Sequence, residues 1–150
     1  MFDTVVVSTD GSESVKRAIT VALDLAERFD AEVHALYVVD SSDVEGSPEQ
    51  VRNELQTALE DAAEDALRAV VDATDREIVT AVREGRPAAE IIGYVQDFDA
   101  DMVAMGTRGR HGEHSFLLGS VAEAVVRRCP VPVLTVRQLD GDEERPDVRP

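Results

Sequence analysis

Lysine is nearly missing from this chain: of 15 basic residues in 150, fourteen are arginine and Lys16 is the single lysine. Acids outnumber bases 31 to 15, for a net charge of −16. A surface of that sign repels nucleic acid backbones and anionic membranes, so neither is an expected partner. The excess reads as halophilic solubility chemistry, suited to a high-salt cytoplasm in which screening removes most self-repulsion. An ordinary acidic protein would keep more than one lysine. Cysteine is almost absent as well. Cys129 stands alone, so no intramolecular disulfide forms, and its place beside Pro130 in an apolar stretch predicts a buried small hydrophobe. No window approaches the roughly 18 consecutive apolar residues of a membrane span. The start, Met1-Phe-Asp-Thr-Val, lacks a basic segment followed by a long apolar run. The expected location is the cytoplasm.

Missing motifs narrow the chemistry further. There is no G-x-x-x-x-G-K-[S/T], and Lys16 does not follow a glycine loop, which excludes a P-loop nucleotide hydrolase. A G-x-G-x-x-G fingerprint after the first predicted strand is also lacking, which argues against a dinucleotide dehydrogenase. A receiver domain needs an Asp after its third strand, where this chain has Arg83-Glu84-Gly85. No Ser/His/Asp or Cys/His arrangement marks a nucleophile.

What is present is an alternation. Thr4–Ser8 is a short β-branched run that predicts a buried strand. After the turn Asp10-Gly-Ser, helical spacing runs from Glu13 to about Phe29. Val33–Val39 is a second strand and Asp40–Ser47 a polar loop, with Pro48 placed for a first helical turn. The helix that follows, to Ala73, carries Val51, Leu55, Ala58, Leu59, Ala62, Ala66, Leu67 and Val70 on one stripe with carboxylates opposite. Further strands are expected at Ile78–Val82, Met102–Met105 and Val131–Val136, with helices at Ala88–Phe98 and Ser120–Arg128. Residues 1–137 thus read as one domain, and Gln138–Pro150 as an acidic disordered tail. Strands alternating with helices imply a parallel sheet covered on both faces, a three-layer α/β/α architecture.

One loop concentrates the chemistry. Gly106-Thr-Arg-Gly109 follows the fourth strand, and nine residues later Gly119-Ser120 opens a helix. A glycine at a strand end lets backbone approach a ligand closely. A helix start offers free N–H groups and the positive end of its dipole to an anion. Between them lie Arg108, Arg110, His111 and His114 against one acid, Glu113, the most basic segment of an acidic chain. Two simpler readings stand beside this one. Ser120-x-x-Glu123 and Asp10-x-x-Glu13 both have the form of a capping box, in which Ser120 and Asp10 serve only their own helices. His111-x-x-His114 has neither cysteine nor helical register to support a metal pair.

The spacing G-x2-G-x9-G-[S/T] is similar to that of the ATP-binding branch of the universal stress protein family, and the chain resembles that family over its first 137 residues. The resemblance implies a Rossmann-like fold of the adenine nucleotide alpha hydrolase type, with five parallel strands in the order 3-2-1-4-5. In that order the winding reverses between strands one and four, where ligands bind at the strands' carboxyl ends. Ser8, Thr9 and Asp10 then meet Met105 and Gly106 in one crevice. The resemblance implies ribose at Asp10, adenine beside Thr9 and on the backbone of Val38, and phosphates over Gly106, Arg108, Gly109, Gly119, Ser120 and the Val121 amide. ATP would come with Mg²⁺, for which Asp10 is a lower-ranked ligand. The implied role is a nucleotide-dependent stress-response or signalling module. A slow ATPase or nucleotidyl- or phosphoryl-transfer enzyme in the same crevice, or a dimer that binds no nucleotide, are the alternatives. Related proteins pair through the last strand, so a homodimer through Val131–Val136 is expected, tempered by Pro132.

Overall fold

The computed structural model describes residues 2–108 and 118–139. Within them β1 (Thr4–Ser8), β2 (Glu32–Asp40), β3 (Ile78–Gly85), β4 (Met102–Gly106) and β5 (Val133–Val136) form one parallel sheet. Its order is β3-β2-β1-β4-β5, as expected. The helices are α1 (Lys16–Phe29), α2 (Ser41–Glu45), α3 (Glu49–Asp72), α4 (Pro87–Asp97) and α5 (Ser120–Arg128). No helix among the described residues is long and apolar enough to cross a membrane.

Strand periodicity of two divides the core between the sheet's faces. Val5 and Val7 of β1 join Ala18 and Ala22 of α1 and Val70 of α3 in one cluster. Val6, with Leu36 and Val103, joins Ile91 and Val95 of α4 and Val125 of α5 in the other. The β1 entry is fastened separately: the Asp101 carboxylate accepts from the Asp3 and Thr4 amides at 2.7 and 3.0 Å.

The second face holds a polar chain buried at His34 and Tyr94 and reaching the surface at Glu32 and Asp97. His34 is 4 % exposed; its Nδ1 lies 2.7 Å from the Tyr94 hydroxyl and its Nε2 2.6 Å from Glu32 Oε1. Arg83 stacks 5.0 Å over the Tyr94 ring and pairs with Asp97 at 3.1 Å. Burial raises the Tyr94 phenol above its ordinary 10.0, with Arg83 opposing the shift. An acid raised on folding binds its proton more tightly in the native state, so its contribution is complete below pH 10.0 and is lost as pH climbs through the folded value. Alkaline denaturation should therefore begin earlier in wild type than in Tyr94→Phe, when each is compared with its own stability at pH 8. Parallel curves would refute this.

Several local expectations are corrected. The Asp40–Ser47 loop contains α2, because the Asp40 carboxylate accepts from the Ser42 amide at 3.0 Å and caps a turn. Pro48 is the N-cap of α3, just outside its first turn. The helix read from Glu13 starts as a single 3-10 turn at Glu13–Val15 before α1. β3 continues past Val82 because β2 is long enough to pair down to Asp40↔Gly85. β5 begins at Val133, since Pro132 lacks an N–H and contributes only its carbonyl, which accepts from Val103 at 3.1 Å. Cys129 is half-buried at the end of α5, not fully enclosed. Chain leaving β5 is tied to α1: Arg17 Nη1 donates to the Arg137 carbonyl and the Arg17 amide to Gln138 Oε1, both at 2.9 Å. The tail from residue 140 onward lies outside the described residues.

Candidate ligand-binding site

A cavity of about 260 Å³ opens at the carboxyl ends of β1 and β4, where the sheet changes winding direction. Ser8, Thr9 and Asp10 line one side, and Met105, Gly106 and Arg108 another. Gly119, Ser120 and Val121 close it from the start of α5, and Val38 lines it from β2. Every residue singled out from sequence is thereby brought together except Gly109, which lies outside the described residues, as do Arg110, His111, Glu113 and His114.

Each position has a local cause. Thr9 is buried; its amide donates to the Leu36 carbonyl at 2.9 Å and its hydroxyl accepts from Gly11 at 3.1 Å. Gly11 turns the chain at φ 77°, a region that glycine enters without penalty. The capping box expected at Asp10 does not form. Asp10 Oδ1 accepts from the amide and hydroxyl of Ser12 at 2.9 and 2.5 Å, an Asx turn, because the Glu13–Val15 turn has Ser12 as its cap. Oδ2 of Asp10 takes no hydrogen bond among the described residues.

The capping box at Ser120 is absent too. Gly119 is the N-cap of α5, no side chain caps the helix, and the Glu123 amide bonds the Gly119 carbonyl at 2.8 Å. Glu123 instead pairs with Arg127 at 2.8 Å. The amides of Ser120, Val121 and Ala122 thus begin a helix with no intrahelical acceptor, and all three residues line the cavity. Arg108 has no acidic partner among the described residues. An uncapped helix start and an arginine lining the same cavity have the chemistry of an anion seat.

At Val38 the backbone is the feature. Leu36 directs its carbonyl at β1, and the groups of a strand point the same way every second residue. The β1–β2 ladder ends at Ser8↔Leu36, so the Val38 N–H and C=O point past the end of β1, where the cavity lies. Val15, Pro87 and Ile91 supply apolar walls that sequence reading did not single out. Asp40 and Asp43 line the cavity as well, although Asp40 was read only as the start of a loop. No residue-type signal marks these five; the topology alone assembles them.

A doubly wound parallel sheet with a cavity at its switch point defines a Rossmann-like α/β binding domain. The profile of the universal stress protein family matches residues 1–137, and the chain belongs to that family. It is 38 % identical over 142 residues to universal stress protein MJ0531 of Methanocaldococcus jannaschii, covering 92 % of this chain and 84 % of the relative. Among solved structures it is similar to universal stress protein UspA from Lactobacillus plantarum, with TM-score 0.79, 28 % identity and coverage of 91 % and 98 % of the two chains. It is also similar to hypothetical protein MJ0577, at TM-score 0.77, 26 % identity and coverage of 94 % and 99 %.

Proposed function

We propose that this universal stress protein binds ATP in the cavity and acts as a nucleotide-dependent signalling module. The observation that carries the reading is the uncapped start of α5, which lines the same cavity as Arg108. Val38 and the apolar walls of Pro87 and Ile91 in the same cavity support a base. In this reading Asp10 Oδ2 accepts from ribose, Gly106, Gly109 and Gly119 allow close approach, and the amides of Ser120 and Val121 bond the phosphates, with Ser8, Thr9 and Met105 shaping the pocket. The described lining holds three carboxylates, Asp10, Asp40 and Asp43, against one cation, Arg108. No group of three or more His, Cys, Asp or Glu among the described residues could cage a metal. Mg²⁺ would therefore sit on the phosphates, where it neutralises charge that this lining disfavours.

Charge gives the reading a distinctive test. With −16 on the chain, long-range repulsion opposes the nucleotide until it is screened. Isothermal titration should show Mg-ATP affinity rising as ionic strength goes from about 0.1 M to about 1 M, over which the Debye length falls from about 10 Å to about 3 Å. Asp10→Asn should weaken binding roughly tenfold, the loss of one charge-assisted hydrogen bond. Absence of saturable heat at every salt concentration would sink the nucleotide reading. Turnover of ATP that vanishes in Arg108→Ala would make the cavity an enzyme's.

A homodimer in the cytoplasm completes the proposal. β5 pairs only with β4, leaving its outer edge without a strand among the described residues, and Val133 and Leu134 there are only half-buried. Sedimentation at micromolar concentration should give twice the 16.3 kDa chain mass; a single-chain mass overturns it.

A further inference from the structure

The apolar stripe of α3 outruns the core. Its buried positions are Ala63, Ala66, Leu67 and Val70, and none falls between Glu49 and Ala62. At about 100° per residue, Val51, Ala58, Ala62 and Ala69 share one line along the helix. All four are exposed, Val51 by 42 %. A parallel line about a sixth of a turn away carries Glu54, Asp61, Asp65 and Asp72, also exposed. None of these four acids has a hydrogen-bond or ion-pair partner among the described residues. On the far side of the helix, by contrast, Glu60 and Glu64 are engaged by Gln56 and Arg68. Along the apolar line lies a second cavity, an open groove of about 540 Å³. Ala62, Ala66 and Ala69 form one wall and Val15 and Ile19 the other, with Asp10, Lys16 and Asp65 also lining it. Lys16 is already neutralised by Glu13 at 2.8 Å.

We propose that this groove and the exposed flank of α3 dock a basic amphipathic helix from another protein. Its apolar face would pack on Val51, Ala58 and Ala62 and into the groove. Its lysines or arginines would meet Glu54, Asp61, Asp65 and Asp72. Small side chains along the line let a partner helix come close, and helices pack about 8–10 Å apart when the contact residues permit. Charge selects the occupant. α3 has seven acids (Glu49, Glu54, Glu60, Asp61, Glu64, Asp65, Asp72) against two arginines (Arg52, Arg68), so a second copy of this face would repel itself. The chain's own segment after Asp140, rich in Asp and Glu, is repelled for the same reason. The proposal stands whether or not the first cavity holds a nucleotide.

The test is a titration of the ¹⁵N-labelled full chain with a leucine–lysine amphipathic peptide of about 18 residues, five helical turns. A scrambled peptide of equal composition controls for generic attraction, and both run at about 0.15 M salt, where close charge pairs still act. The expected result is saturable amide shifts confined to Val51–Ala69 and Val15–Ile19, absent with the scrambled peptide. Affinity should fall at least tenfold in both Ala62→Arg and Val51→Asp, with their spectra otherwise folded. Shifts spread over the acidic surface, equal response to both peptides, or no response would each overturn the proposal. So would a sedimentation mass that falls from dimer to single chain in Ala62→Arg, which would assign the face to a second copy.

Discussion

Gly106→Ala is expected to destabilise the protein by about 1–3 kcal/mol and to weaken the first cavity's ligand at the same time. A Cβ at Gly106 would stand 2.9 Å from the Ser14 carbonyl oxygen and 3.5 Å from Val15 Cα. Both neighbours are main chain, so relief requires moving the Glu13–Val15 turn or the end of β4 rather than rotating a side chain. Either movement displaces cavity lining, since Val15 and Gly106 both border it. Thermal melts should show a loss of roughly 2–4 °C per kcal/mol for a chain of this size. Gly93→Ala supplies the control. A Cβ there meets nothing within 4 Å, and alanine in a helix interior is favoured over glycine by roughly 1 kcal/mol. If the two variants melt alike, the close approach of the Glu13–Val15 turn to β4 is not what demands glycine.

His34→Ala should cost more, about 3–5 kcal/mol, through a cavity in the second core face and a stranded tyrosine hydroxyl. The ring packs 5.6 Å from Tyr94 and 5.1 Å from Phe98, centroid to centroid, and it is the hydrogen-bond partner of Tyr94 Oη. Tyr94→Phe removes the hydroxyl alone and should cost about 1–3 kcal/mol. Because both variants break the same bond, the double variant Tyr94→Phe/His34→Ala should be less damaged than the two single losses added together. Denaturant unfolding measures all three. Strict additivity would mean that the His34–Tyr94 bond adds nothing to the stability of the core.

The fold was legible because β-branched runs such as Thr4–Ser8 and Ile78–Val82 alternate with helical spacing, and few topologies accept that order. The motif pointed to one part of the cavity lining for a related reason: glycine and a helix start are chosen for backbone geometry, which leaves a trace in residue type. The apolar walls left none. Pro87 and Ile91 look like any helix residues until α4 is laid beside β2, and in the proposed reading Val38 would act through main-chain groups that every residue possesses. The two capping boxes misled in the opposite direction. Ser120-x-x-Glu123 has the right letters, yet Gly119 takes the cap and Arg127 takes Glu123, so a four-residue pattern does not by itself fix where a helix begins. His34 gave no sequence signal at all, being one histidine in an apolar strand whose partners sit two and sixty residues away.

Thr9, Asp10 and Val15 border both cavities, so the short bend leaving β1 is a partition with a chamber on either side. Were a guest in one chamber to displace this bend, the lining of the other would move with it, and thermodynamic reciprocity would make that coupling equal in both directions.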